Sequence, residues 1–167
     1  MKRLYPARGR AAAAAFALAL PLALCAGASE GADIEAGRQK AQVCVACHGP
    51  AGNSTNPLMP SLAAQPAQFI STELFMFREG NRKDPQMTPV AKTLSNAEMN
   101  ELARHFSRQK PAPPPHKTAP ESVAAGKLLA EKYNCVQCHG PALAGVQHIP
   151  RLAGQQAQYL ENQFKAL

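Results

Sequence analysis

The sequence predicts an all-α protein built as two tandem copies of one helical unit, the second shorter than the first. Three observations carry this. The pentapeptide Cys44-Val45-Ala46-Cys47-His48 recurs as Cys135-Val136-Gln137-Cys138-His139. Its surroundings recur too: Ala36-Gly37-Arg38 matches Ala125-Gly126-Lys127, and the segment from Pro60 to Phe69 matches that from Pro150 to Tyr159 at an offset of 90. Between them apolar residues fall at helical spacing, bounded by helix start and stop signals, with no βαβ pattern.

Residues 1–28 read as a secretory signal, expected to be removed. Lys2, Arg3, Arg8 and Arg10 form a charged start, Ala11 to Leu24 an apolar run too short to span a bilayer, and Ala26-Gly27-Ala28 a small-residue cleavage site. Acylation of Cys25 as in a lipoprotein is the alternative, but Leu24 stands where such signals carry a small residue. The chain has 18 Lys and Arg against 11 Asp and Glu, a formal +7. Four of those cations fall in the signal, leaving 14 against 11. No basic run remains that would suit nucleic acid.

The first unit is assigned to residues 29–110. Asp33 is expected to cap a helix running toward Cys44, and Gly37 within it suggests close helix packing, as Gly126 does in the second unit. Gln65 to Phe77 reads as a second helix, with Pro66 in its first turn, Phe69, Ile70, Leu74 and Phe77 on one stripe, and Gly80 beyond. Ser95 with Glu98 forms a capping box for a third, whose Met99, Leu102, Ala103 and Phe106 keep helical spacing behind the staple residue Leu94. Residues 111–120, with five prolines, are expected to form an extended spacer, and its His116 to be solvent-exposed. The second unit is assigned to residues 121–167.

Two thiols three positions apart, followed directly by an imidazole, suit thioether bonds to the two vinyl groups of a haem with the histidine on its iron. Cys44 and Cys47 with His48, and Cys135 and Cys138 with His139, therefore predict two covalently attached haem c groups. A zinc ribbon would place its cysteine pairs about 15–20 residues apart, whereas these lie 91 apart. A thioredoxin-like redox pair would need a βαβ setting. Haem also supplies bulk to a chain with 5% aromatic residues and no tryptophan. A second strong axial ligand is expected, and a soft methionine thioether would favour Fe(II). Met76 and Met99 sit within helical patterns, while Met59 and Met87 lie outside them.

Gly37, both Cys-x-x-Cys-His motifs, Gly49-x-x-Gly52-Asn53-Ser54, Pro60-x-Leu62-Ala63-x-Gln65, the Met87 loop and the Leu94-Ser95 helix together resemble the dihaem class I cytochromes c of the cytochrome c4 type. The resemblance covers nearly all of residues 32–110 and residues 121–167. It implies two all-helical class I cytochrome c haem domains with crossed terminal helices, acting as a periplasmic electron carrier. It places Met59 on the histidine side of the ring, where the Pro60 carbonyl receives the ligand N–H, and so makes Met87 the axial ligand of the first iron. His105 falls where the family usually has a tyrosine and is read as a packing substitution.

Leu167 aligns with Phe77, so the second copy shows no counterpart of residues 78–108 and is expected to be truncated, the full form running about 30–40 residues further. Its other candidate ligand, His148, precedes Pro150 by two positions and is expected on the side of His139. An incomplete second site predicts a high-spin component in the optical spectrum. The leading function is outer-sphere electron transfer between redox proteins, with a terminal oxidase or a quinol-oxidising complex as partner and possible peripheral attachment to a membrane. A permanent cytochrome subunit of a sulfide- or alcohol-oxidising complex is the alternative. A dihaem peroxidase-like enzyme is disfavoured, because two short units leave little room for a catalytic pocket with its own acid–base residues and truncation explains the open second site more simply.

Overall fold

A computed structural model describes residues 34–113 and 117–166. The signal segment with Cys25, the capping residue Asp33 and the linker His116 lie outside the described residues. Those described are helical, with one isolated bridge between Val146 and Ile149. None of their helices is long and apolar enough to cross a membrane.

Helix α1 (34–40) passes into a 3₁₀ turn, Ala41–Cys44, and then into α2, Val45–His48. Helix α3, Ala67–Glu79, starts after Pro66 and ends on Gly80 at φ 77°, a left-handed stop that glycine adopts at low cost. Helix α5, Asn96–Ser107, carries the predicted capping box: Ser95 Oγ accepts from the Glu98 N–H, and Glu98 Oε2 accepts from the Ser95 N–H at 2.8 Å. Its Met99, Leu102, Ala103 and Phe106 are buried together with Ala41, Ile70 and Leu74, forming the core of the first unit.

Helix α1 crosses α5 at a point where only glycine fits. A Cβ on Gly37 would lie 2.2 Å from the Glu101 carbonyl oxygen. Lys40 bridges to Glu98 at 3.1 Å beside this crossing.

Two elements differ from expectation. Met87 does not lie in a loop but begins helix α4, Met87–Lys92. Asp84 Oδ1 accepts from the Gln86 and Met87 N–H groups at 2.8 Å each, and so satisfies donors that a helix start leaves free. Pro89 then sits in the first turn, where its missing N–H costs nothing. Pro120 is likewise not spacer but the first residue of α6, Pro120–Lys132, because its fixed φ suits a helix start.

The second unit continues with α7, Cys135–His139, and α8, Ala157–Lys165. Asn134, in the left-handed region at φ 58°, separates α6 from α7. Helix α6 buries no residue, and nothing lies within 4 Å of a Cβ built on Gly126. The close packing expected there is therefore seen only at Gly37. Among the described residues, the buried ones of the second unit, Arg151, Gln155 and Gln156, are all polar and face the first unit.

Candidate functional site

Both pentapeptides form one helical turn ended by a glycine in a conformation that side chains reject. Gly49 has φ 76° and ψ 170°, and Gly140 has φ 81° and ψ 161°. Each following chain segment then folds back to bring a proline carbonyl onto the histidine. His48 Nδ1 lies 2.8 Å from the Pro60 oxygen, and His139 Nδ1 lies 2.8 Å from the Pro150 oxygen. A carbonyl can only accept, so the proton sits on Nδ1 and the Nε2 lone pair is free for a metal. Burial pushes the pKa of His48 down and keeps the ring neutral, although the Pro60 bond acts in the opposite sense.

The four thiols repeat their setting. Cys44 and Cys135 are half-buried, Cys47 and Cys138 exposed, and none is in a disulfide. Burial, with a smaller effect of Cys47, pushes the Cys44 thiol above its usual range. Among the described residues no group of three or more His, Cys, Asp or Glu could hold a metal ion. The donor set of each motif is thus two thiols and one imidazole, which suits covalent haem rather than a zinc cage.

A buried cation points the same way. Among the described residues, Arg151 is 8% exposed, its Nε has no hydrogen-bond partner, and its guanidinium donates only to the carbonyls of Ala63 and Ala153. Burial pushes its pKa down. A buried cation with no carboxylate beside it among the described residues suits an added anion, and haem carries two propionates.

Met87 is half-buried and packs against the core cluster of the first unit, as Cys44 does. Met99 is core, Met76 and Met59 are half-buried, and His148 is exposed. His105 is buried, its ring 5.1 Å from that of Phe106 in an edge-on arrangement.

Sequence reasoning missed Gln65 and Gln155. Both were visible as repeated residues, but their contacts run between units. Gln65 accepts from the Arg151 N–H and donates to the Arg151 carbonyl, both at 2.9 Å. Gln155 accepts from the Ser61 N–H at 2.7 Å and donates to the Ser61 carbonyl at 2.9 Å. Ser61 and Arg151 are themselves related by the offset of 90, so the contact is reciprocal, as across a two-fold axis. A repeated glutamine after Leu-Ala was the available signal, because an amide that both donates and accepts can clasp a backbone.

The Cytochrome c family model matches residues 34–110 and 123–166. A thiosulfate dehydrogenase electron acceptor of Thiomonas intermedia is 39% identical over 76% of this chain, which spans 63% of that protein. Cytochrome c4 of Thiocapsa roseopersicina is 38% identical over 80% of this chain and 74% of its own length. The crystal structure of reduced cytochrome c4 from Pseudomonas stutzeri superposes with a TM-score of 0.72 at 31% identity, covering 79% of this chain and 78% of that one. The chain therefore belongs to the cytochrome c family, as a cytochrome c4-like electron-transfer protein with two covalently bound haem c groups.

Proposed function

We propose that one haem is bonded to Cys44 and Cys47 and the other to Cys135 and Cys138, with His48 and His139 on the two irons and Met87 as the second ligand of the first. The observation that carries this reading is the twofold repetition of one arrangement: a helical thiol pair, then a histidine whose Nδ1 proton is fixed by a proline carbonyl. Bound haem supplies a one-electron Fe(III)/Fe(II) couple. The chain fixes the imidazole tautomer, shields His48 from water and leaves the Cys47 and Cys138 edges open, where a redox partner can approach.

The relatives support a reading of the partner. An electron acceptor of thiosulfate dehydrogenase is 39% identical to this chain over 139 matched residues, so the donor proposed here is a dehydrogenase that oxidises a small sulfur compound. A terminal oxidase is the proposed acceptor, and the periplasm, after removal of residues 1–28, the proposed location. The test is stopped-flow reduction of the holoprotein. Thiosulfate with catalytic thiosulfate dehydrogenase should reduce the haems rapidly, whereas thiosulfate alone should not. Reduction at the same rate without the dehydrogenase would make the chain an enzyme instead of a carrier. Size exclusion of the native complex separates a mobile carrier from a permanent subunit.

A further inference from the structure

We propose that Gln65 and Gln155 are positioning residues that couple the two haem sites, each setting the hydrogen bond of the histidine in the opposite unit. The peptide group joining Pro60 to Ser61 is bonded at both ends. Its carbonyl accepts from His48 Nδ1 at 2.8 Å, and its N–H donates to Gln155 Oε1 at 2.7 Å. The peptide group joining Pro150 to Arg151 repeats this, with His139 Nδ1 at 2.8 Å and Gln65 Oε1 at 2.9 Å. Each histidine is thus one peptide group away from a side chain of the other unit.

The chemistry follows from the polarisation of an amide. An acceptor on its N–H makes its carbonyl a stronger acceptor, and hydrogen bonds linked in this way reinforce one another. A stronger pull on the Nδ1 proton makes the imidazole a more basic ligand, which favours Fe(III). Gln65 and Gln155 are 3% and 5% exposed, so water does not compete for these bonds. Each also donates through Nε2 to the next carbonyl, which holds the amide in register. Both lie just before helix starts, α3 after Gln65 and α8 after Gln155, and so move with rigid elements.

This coupling rests on the proposed ligation by His48 and His139. The test uses the holoprotein with Gln155→Met and Gln65→Met, which keep side-chain length and remove the amide. The two haem potentials are resolved by titration and assigned by NMR contacts of each haem with the His48 or His139 ring. Gln155→Met should raise the potential of the haem at His48 and leave the other in place, and Gln65→Met should do the reverse. The expected size is about two- to tenfold in the Fe(III)/Fe(II) equilibrium, up to 59 mV for one electron. Simple loosening of the interface would admit water and favour Fe(III), which lowers the potential. A fall, no change, or a shift confined to the variant's own unit overturns the coupling. Should the methionine variants fail to fold with haem, Gln155→Glu and Gln65→Glu keep the acceptor and strengthen it. They should lower the opposite haem more than their own, and equal shifts would overturn the proposal. Failure of the ligation itself would look different, as wild-type spectra in which neither imidazole ring contacts a haem.

Discussion

Arg151 and Ser61 occupy equivalent places in the two units, yet only Arg151 brings a charge into the interface. Its guanidinium is buried with Nε unpaired, a cost that a haem propionate would offset. Removing one member of a buried ion pair costs about 3–5 kcal/mol, whereas removing an uncompensated buried cation is neutral or stabilising. The variant R151M of the holoprotein should therefore unfold at lower denaturant, by about 3 kcal/mol. A gain in stability would show that no anion complements the arginine. His105 carries a pH dependence. Burial lowers its pKa below 6.5, Arg38 on α1 adds to this, and Glu35 on α1 opposes it. Gln109 Nε2 lies 3.5 Å from its Nδ1. The unfolded chain then binds the proton more readily than the folded one, so this contribution to stability is full above pH 6.5 and is lost as pH falls below it. Denaturant titrations from pH 7 to 5 should show a shallower loss in H105F than in wild type. At this scale the thiols and histidines were legible, because Cys-x-x-Cys-His has its meaning within five residues. The glutamine clasps were not, since the repeat shows both glutamines but not which distant residue each one meets, 94 positions away for Gln155.

Helix starts and stops were legible where one side chain makes them. The Ser95–Glu98 box and the Gly80 stop stand where the sequence places them. The helix begun by Met87 was not legible, because Asp84 acts through bonds to residues 86 and 87 while two nearby prolines suggest a loop. Glycine within helices shows the same limit. Gly37 and Gly126 are equivalent in the repeat, but only Gly37 meets another helix. G37A should destabilise the first unit by about 3 kcal/mol through overpacking against Glu101. G126A should stabilise the chain by about 0.5–1 kcal/mol, since alanine is the better helix former and nothing opposes its Cβ. Denaturant midpoints of the two variants check the contrast, and equal effects would refute the asymmetry of packing.

In the whole molecule, the buried apolar side chains among the described residues belong to the first unit, while the second contributes buried polar groups to the contact between them. The duplication was legible because short motifs recur in order. The mutual clasp that makes two units one body was not, since sequence order says nothing of which repeated residue faces which. Arg82 extends the contact. It pairs with Glu73 and donates to Tyr159 at 3.2 Å and to Gln163 at 2.7 Å on α8. The haem groups supply what each unit lacks in bulk, and the proposed function rests on where they are bonded. Peptide mass mapping of the holoprotein, made in a host able to attach haem c, tests this most directly. The peptide holding Cys44 and Cys47 and the peptide holding Cys135 and Cys138 should each carry the mass of one haem. Either peptide recovered at its bare mass would contradict the account.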